Sequence, residues 1–110
     1  MVSRVWRGWT KRENAPMYDH YLQKELFPRL AEELLEQGFR GYQLLRRDRE
    51  NETEFMTMVY FESLEQVRSF AGENYETPVI SAKAQALLSH YAERAEHYEV
   101  SGFNPLPSTS

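Results

Sequence analysis

Residues 54–62 read EFMTMVYFE. The run is rich in β-branched and aromatic residues and has neither Gly nor Pro, so it is read as a strand. Side chains alternate along a strand, which places Phe55, Thr57, Val59 and Phe61 on one face and Met56, Met58 and Tyr60 on the other. Both faces are apolar. A strand in an antiparallel sheet with one wet side alternates apolar with polar, so this one asks for cover on both sides.

Outward from that strand, residues 3–10 alternate in the same way. They put Arg4, Trp6 and Gly8 on one face and Val5, Arg7 and Trp9 on the other. Asn14 and Pro16 mark a helix start. Tyr18, Leu22, Leu26, Leu30 and Leu34 then recur every fourth residue, an apolar stripe over residues 15–36. Pro28 inside that stripe removes a backbone hydrogen bond and predicts a kink or break near Leu26 and Phe27. Gly38 ends the helix and Gly41 marks the turn out of it. Residues 42–49 form a second strand, joined through a polar turn at residues 50–53 to the strand at 54–62 in a hairpin. Ser63 with Gln66 is a capping box for a helix from Leu64 to Gly72. Thr77 and Pro78 signal another helix, with Ile80, Ala84, Leu87 and Leu88 facing inward. Residues 90–100, HYAERAEHYEV, close the pattern as a final strand whose polar content suits an edge or a wet cavity.

The order strand, helix, strand, strand, helix, strand predicts an α+β fold, a ferredoxin-like βαββαβ sandwich with a four-stranded antiparallel sheet over residues 1–100. Residues 101–110, SGFNPLPSTS, form a Pro- and Ser-rich tail, and Phe103 and Leu106 are its residues able to anchor. Helices cover only one face of such a sheet. The simplest cover for the other is a second copy of the same sheet, which predicts a homodimer through the face carrying Met56, Met58 and Tyr60. Burying even about 600 Å² of apolar surface per subunit gives roughly 15 kcal/mol before the costs of association.

Bulk properties narrow the function. At 110 residues the chain makes one domain, and 17 acids against 13 bases leave a net charge of −4 without the basic face of a nucleic-acid binder. Arg46, Arg47 and Arg49 cluster, but Asp48, Glu50 and Glu52 dilute them. The chain has no cysteine, which removes disulfides, thiolate catalysis and Cys-based zinc sites. No run of about 20 apolar residues spans a membrane and no signal-peptide core opens the chain, so a cytoplasmic protein is expected.

The strand SRVWRGWT, the segment ELFPRL with its internal proline, the hairpin into TEFMTMVYFES, the helix start SLEQVRSFAG and the closing HYEV together resemble the antibiotic biosynthesis monooxygenase family, of the dimeric α+β barrel superfamily. The resemblance covers about residues 2–100. It implies a dimeric barrel with a pocket between sheet and helices of each subunit, where some members oxygenate polycyclic phenols without metal or flavin. Others degrade heme, using a first-strand Asn with a Trp and a His of the second helical region. Here Arg7, Phe70 and Ile80 stand near those places, which makes heme degradation the third reading. The first is a cofactor-independent monooxygenase acting on an aromatic phenol or quinol. The alternative is a non-catalytic dimeric barrel that binds a small apolar ligand.

Oxygenating a phenol without a cofactor requires a base, an apolar cavity and donors for negative oxygen. His97 is the candidate base, as a neutral imidazole on a strand of Tyr and small residues. The competing role is structural, at the dimer interface. Trp6, Arg7, Thr57, Val59, Phe70 and Tyr98 are the candidate substrate-binding residues. Arg4 beside Trp6 and Arg7 beside Trp9 are each placed to meet an anionic aromatic ligand; the simpler expectation pairs each with an acid such as Glu96 or Glu99. Tyr60 and Tyr98 could donate hydrogen bonds in a cavity or sit between the two sheets. His20 and His90 suit a solvent-exposed helix face and a helix end. The three histidines lack the helical spacing of a metal pair, and no metal or cofactor is expected.

Overall fold

The computed structural model describes residues 1–105. Five strands form one antiparallel sheet: β1 (Val2–Lys11), β2 (Phe39–Asp48), β3 (Glu52–Phe61), β4 (Leu88–Tyr91) and β5 (Glu96–Glu99). The order is β2-β3-β1, with β4 and β5 both against the free side of β1, where they share one strand position end to end. The architecture is therefore the α+β, ferredoxin-like sandwich that the pattern predicts. β3 is central, as its two-faced composition requires, and pairs with β1 along its whole length, from Val2 opposite Phe61 to Lys11 opposite Glu52.

The register settles the faces. Arg4 lies opposite Val59, Trp6 opposite Thr57 and Gly8 opposite Phe55, so the even residues of β1 share a face with the odd residues of β3. That face carries the helices. Phe55 and Phe61 are 0% and 1% exposed and join Tyr18, Leu22, Phe27 and Val67 in the core. The Tyr18 ring meets Phe55 edge-on at 4.9 Å, and Phe39 meets Phe61 similarly at 6.1 Å. On the other face Met56, Met58, Tyr60, Val5 and Trp9 are each only half-buried.

The first helical region consists of α1 (Ala15–Tyr21), a π-helical turn at Leu22–Leu26 and α2 (Phe27–Leu34). Pro28 stands in the first turn of α2. Its missing N–H would break an α-helical ladder, and the chain answers with a wide turn in which the Phe27 amide donates to the Leu22 carbonyl five residues back. The predicted break near Leu26 and Phe27 is this turn. Gly38, at φ 93°, ends the region. A Cβ there would lie 2.6 Å from the Gln66 side chain, so glycine answers both a backbone and a packing demand. α3 (Leu64–Ala71) begins and ends where the capping residue Ser63 and Gly72 place it. The Ser63 hydroxyl bonds the Gln66 side chain at 2.6 Å, a variant of the expected box.

Two expectations are corrected. The helix expected from Thr77 and Pro78 begins later, as α4 (Ala82–Leu87), because Ser81 takes the cap: its Oγ accepts from the Ala84 amide and bonds the Tyr21 hydroxyl at 2.6 Å. The final strand is two short ones, because the Ala95 amide donates to the Glu76 carbonyl instead of continuing the ladder. At the tail, the Phe103 ring lies 6.0 Å from that of Tyr60, while Leu106 lies outside the described residues. Among the described residues no helix is long and apolar enough to cross a membrane.

Candidate functional site

A cavity of about 220 Å³ lies between the helix-facing side of the sheet and its cover. Its floor is Arg4 and Trp6 from β1 with Thr57 and Val59 from β3. The strand pairing makes these four residues neighbours. Tyr18, Leu22, Leu26, Phe27 and Leu30 supply the first wall, so the π-helical turn borders the cavity directly. Phe70 closes one end. Residues 78–81, the extended run before α4, complete the opposite wall. Val79 and Arg29 also line it and are exposed, which marks the mouth.

The lining is apolar apart from a few groups. The Ser81 and Tyr21 hydroxyls bond each other, and the Thr57 hydroxyl donates to the Trp6 carbonyl at 3.4 Å. Tyr18 is held protonated, because burial first and then Tyr21 push its phenol well above the ordinary value. Arg4 is the exceptional member. It is 6% exposed, and its guanidinium lies 5.8 Å from the centre of the Phe70 ring. Sequence reasoning paired it with an acid such as Glu96 or Glu99. Instead its Nη1 donates to the Tyr75 carbonyl and to His97 Nε2 at 2.9 Å, and its Nη2 donates to the Thr77 carbonyl at 3.2 Å. Glu99 lies opposite Val2 and Glu96 opposite Val5, and neither forms an ion pair with Arg4 among the described residues. Burial lowers the Arg4 pKa to about 10, so it stays a cation at neutral pH.

His97 lies opposite Arg4 on β5, on the helix-facing side. Its ring meets Tyr75 edge-on at 5.1 Å. Accepting from Arg4 fixes Nε2 as the unprotonated nitrogen. Desolvation first, then the Arg4 charge, lower its pKa below the ordinary 6.5, while Glu76 opposes them, so the ring is neutral. It shares Arg4 with the cavity but does not line it; it lines a separate, open groove with Tyr75, Glu76 and Tyr98.

Of the sequence candidates, Trp6, Thr57, Val59 and Phe70 converge on the cavity. Arg7 and Tyr98 stand on the opposite face: Arg7 is exposed beside Leu45, Arg47 and Met56, and Tyr98 is 55% exposed with its hydroxyl 2.8 Å from Glu96. That carboxylate raises the Tyr98 pKa. Sequence reasoning missed the wall at residues 78–81 as a lining element. Arg4 was weighed only as one of two ring-flanking cations, although its face was legible from the alternation. His90 and Trp9 stack at 4.6 Å on the opposite face, where His90 Nε2 lies 2.7 Å from Glu52. Among the described residues no group of three or more metal-ligating side chains converges.

An antiparallel sheet with helices on one face and a mostly apolar cavity between the layers defines a ferredoxin-like α+β domain. The sequence profile of the antibiotic biosynthesis monooxygenase family matches residues 16–75, more than half of the chain, and the protein belongs to that family. The solved structure of a Bacillus cereus protein bearing the same family description, itself an assignment still marked putative, superposes with a TM-score of 0.61 over 98% of each chain at 13% identity. That likeness shows the shared fold. No curated protein matches the chain.

Proposed function

We propose that the protein is a monooxygenase that oxidises an aromatic phenol or quinol in the sheet–helix cavity without a bound cofactor. The observation that carries this reading is the cavity itself, a largely apolar enclosure walled by Trp6, Tyr18, Phe27 and Phe70 inside a domain of this family. Such a site holds an electron-rich ring beside O₂ and keeps bulk water from the intermediates. In the overall reaction a phenol and O₂ give a quinone and water, so all four electrons come from the substrate. One oxygen atom enters the ring product and the other leaves as water.

Trp6, Thr57, Val59 and Phe70 hold the ring in this scheme. His97 is the proposed base. Its neutral form supports that role, and its ring must release Arg4 before Nε2 can take a proton. Arg7 and Tyr98 belong to the second part of the proposal, a homodimer. A second copy covers the open face carrying Val5, Met56, Met58 and Tyr60, and Arg7 and Tyr98 then border the subunit interface. In this arrangement two sheets close into an α+β barrel.

Oxygen uptake with a panel of quinols, read against the uncatalysed rate, tests the activity. Catalysed uptake that falls about a hundredfold or more in His97→Ala supports it. Uptake equal to the uncatalysed rate across the panel favours the second reading, a non-catalytic barrel that binds a small aromatic ligand. The observation favouring that alternative is that His97 does not line the cavity and meets it only through Arg4.

A further inference from the structure

Arg4 is a cation placed deep in the protein without an acid. Its guanidinium has five N–H donors, and the two carbonyls and His97 take three of them. Two remain, on a side chain that lines the cavity and is more than nine-tenths buried. Among the described residues five arginines have an acid, Arg40 with Glu62, Arg46 with Asp19, Arg47 and Arg49 with Glu54, and Arg94 with Glu76. The four others that form no ion pair, Arg7, Arg12, Arg29 and Arg68, are exposed to water, so among the described residues Arg4 alone is both buried and without an acid. A buried charge without a counter-charge is costly. A negatively charged ligand is the group that would offset it, through charge-assisted hydrogen bonds to the two remaining donors.

Cavity size sets a second limit. A cavity of about 150 Å³ accepts benzene, and pockets for drug-sized ligands run to about 300–1,000 Å³. The 220 Å³ here holds one substituted ring or two fused rings. Three or four fused rings would have to extend through the mouth beside Val79 and Arg29.

We propose that the cavity binds a one- or two-ring aromatic anion, with its negatively charged oxygen on Arg4 and its ring against Trp6 and Phe70. The inference deepens the functional reading above and rests on it for the location of the ligand, but not for its chemistry. His97 and the Tyr75 and Thr77 carbonyls serve here as positioning groups that hold the guanidinium beside the Phe70 ring at the edge of the cavity. The shared chemistry is an anionic oxygen, carboxylate or phenolate.

Calorimetry on the intact protein with 2-naphthoate, 2-naphthol, 2-naphthamide and 2-anthroate tests it. The expected result is that the neutral amide, nearly the same shape as naphthoate, binds about tenfold to a hundredfold more weakly than the preferred anion. The three-ring 2-anthroate should bind more weakly than 2-naphthoate. Naphthol that binds tightly and releases a proton, seen as a buffer-dependent heat, identifies a phenolate site; tight naphthoate identifies a carboxylate site. Arg4→Met should erase the preference for the anion. If that variant fails to fold, the comparison of acid with amide on the unaltered protein still decides. Naphthamide binding as tightly as both naphthoate and naphthol overturns the proposal, and so does tighter binding of 2-anthroate than of 2-naphthoate. Tight, charge-selective binding without catalysed oxygen uptake would remove the oxygenase and leave the anion site standing.

Discussion

The two faces of β3 come from the same ten residues and meet opposite fates. Odd positions from Thr53 to Phe61 lie under the helices, with Phe55 and Phe61 almost wholly buried. Even positions such as Met56, Met58 and Tyr60 are left half-covered. Their charges differ as well. On the open face Glu54 accepts from Arg47 and Arg49, and His90 meets Glu52. On the covered face Arg4 is held by carbonyls and a neutral imidazole. A face on which Glu54 and Glu52 already have basic partners, and on which Arg7 without one is exposed, is suited to close against a protein surface, whereas a buried cation held only by neutral groups is suited to receive an anion.

The largest expected effect tests the covered face. Phe55→Ala should lower unfolding free energy by about 3–5 kcal/mol, measured by denaturant titration, with oligomeric state unchanged in whatever fraction stays folded. The converse change is Met58→Glu. Placing a carboxylate in the open face should weaken the proposed dimer by at least about a hundredfold, read by sedimentation equilibrium, because an unpaired charge would be buried there. Binding of 2-naphthoate should change little. A protein that is already monomeric at micromolar concentration would break the contrast between the faces.

Gly38→Ala should cost about 1–2 kcal/mol. It forces a side chain to φ 93° and presses on Gln66, which α3 contributes to the same layer. The smallest effect concerns pH. His97 has a folded pKa below its ordinary 6.5, so the unfolded chain binds its proton first as pH falls. Its contribution to stability is complete above 6.5 and is lost as pH drops toward the folded value. His97→Gln should flatten that part of a stability–pH profile recorded by thermal unfolding. Glu54 acts in the same direction at lower pH, because hydrogen bonding from Arg47, the largest cause, holds its carboxyl below the ordinary range.

The sheet, the division of β1 and β3 into faces and the break before Pro28 were legible because each follows from a local period or from one residue's covalent chemistry. The wall at residues 78–81 was not. Thr77 and Pro78 carry a sound local start signal, but Arg4 draws the Tyr75 and Thr77 carbonyls toward β1, and Ser81 offers the better cap through Tyr21. The split of the last strand has a related origin, since the Ala95 amide turns to Glu76. One loop thus accounts for both errors and forms part of the candidate site. Contacts between residues about 70 positions apart leave no trace in a hydrophobic period. The separation of Arg7 and Tyr98 from Trp6 and Phe70 was readable in part, because Arg7 and Trp6 are adjacent on a strand and must point apart.

The π-helical turn at Leu22–Leu26 has a consequence for how this cavity could change over generations. A π turn accommodates one residue more than the α-helical turn it replaces. Deleting a single residue there could restore a regular helix and draw Leu22 and Leu26 into a tighter wall, while both ends of the helical region keep their phase against the sheet. The width of the cavity is then adjustable by one codon, without a change to any strand.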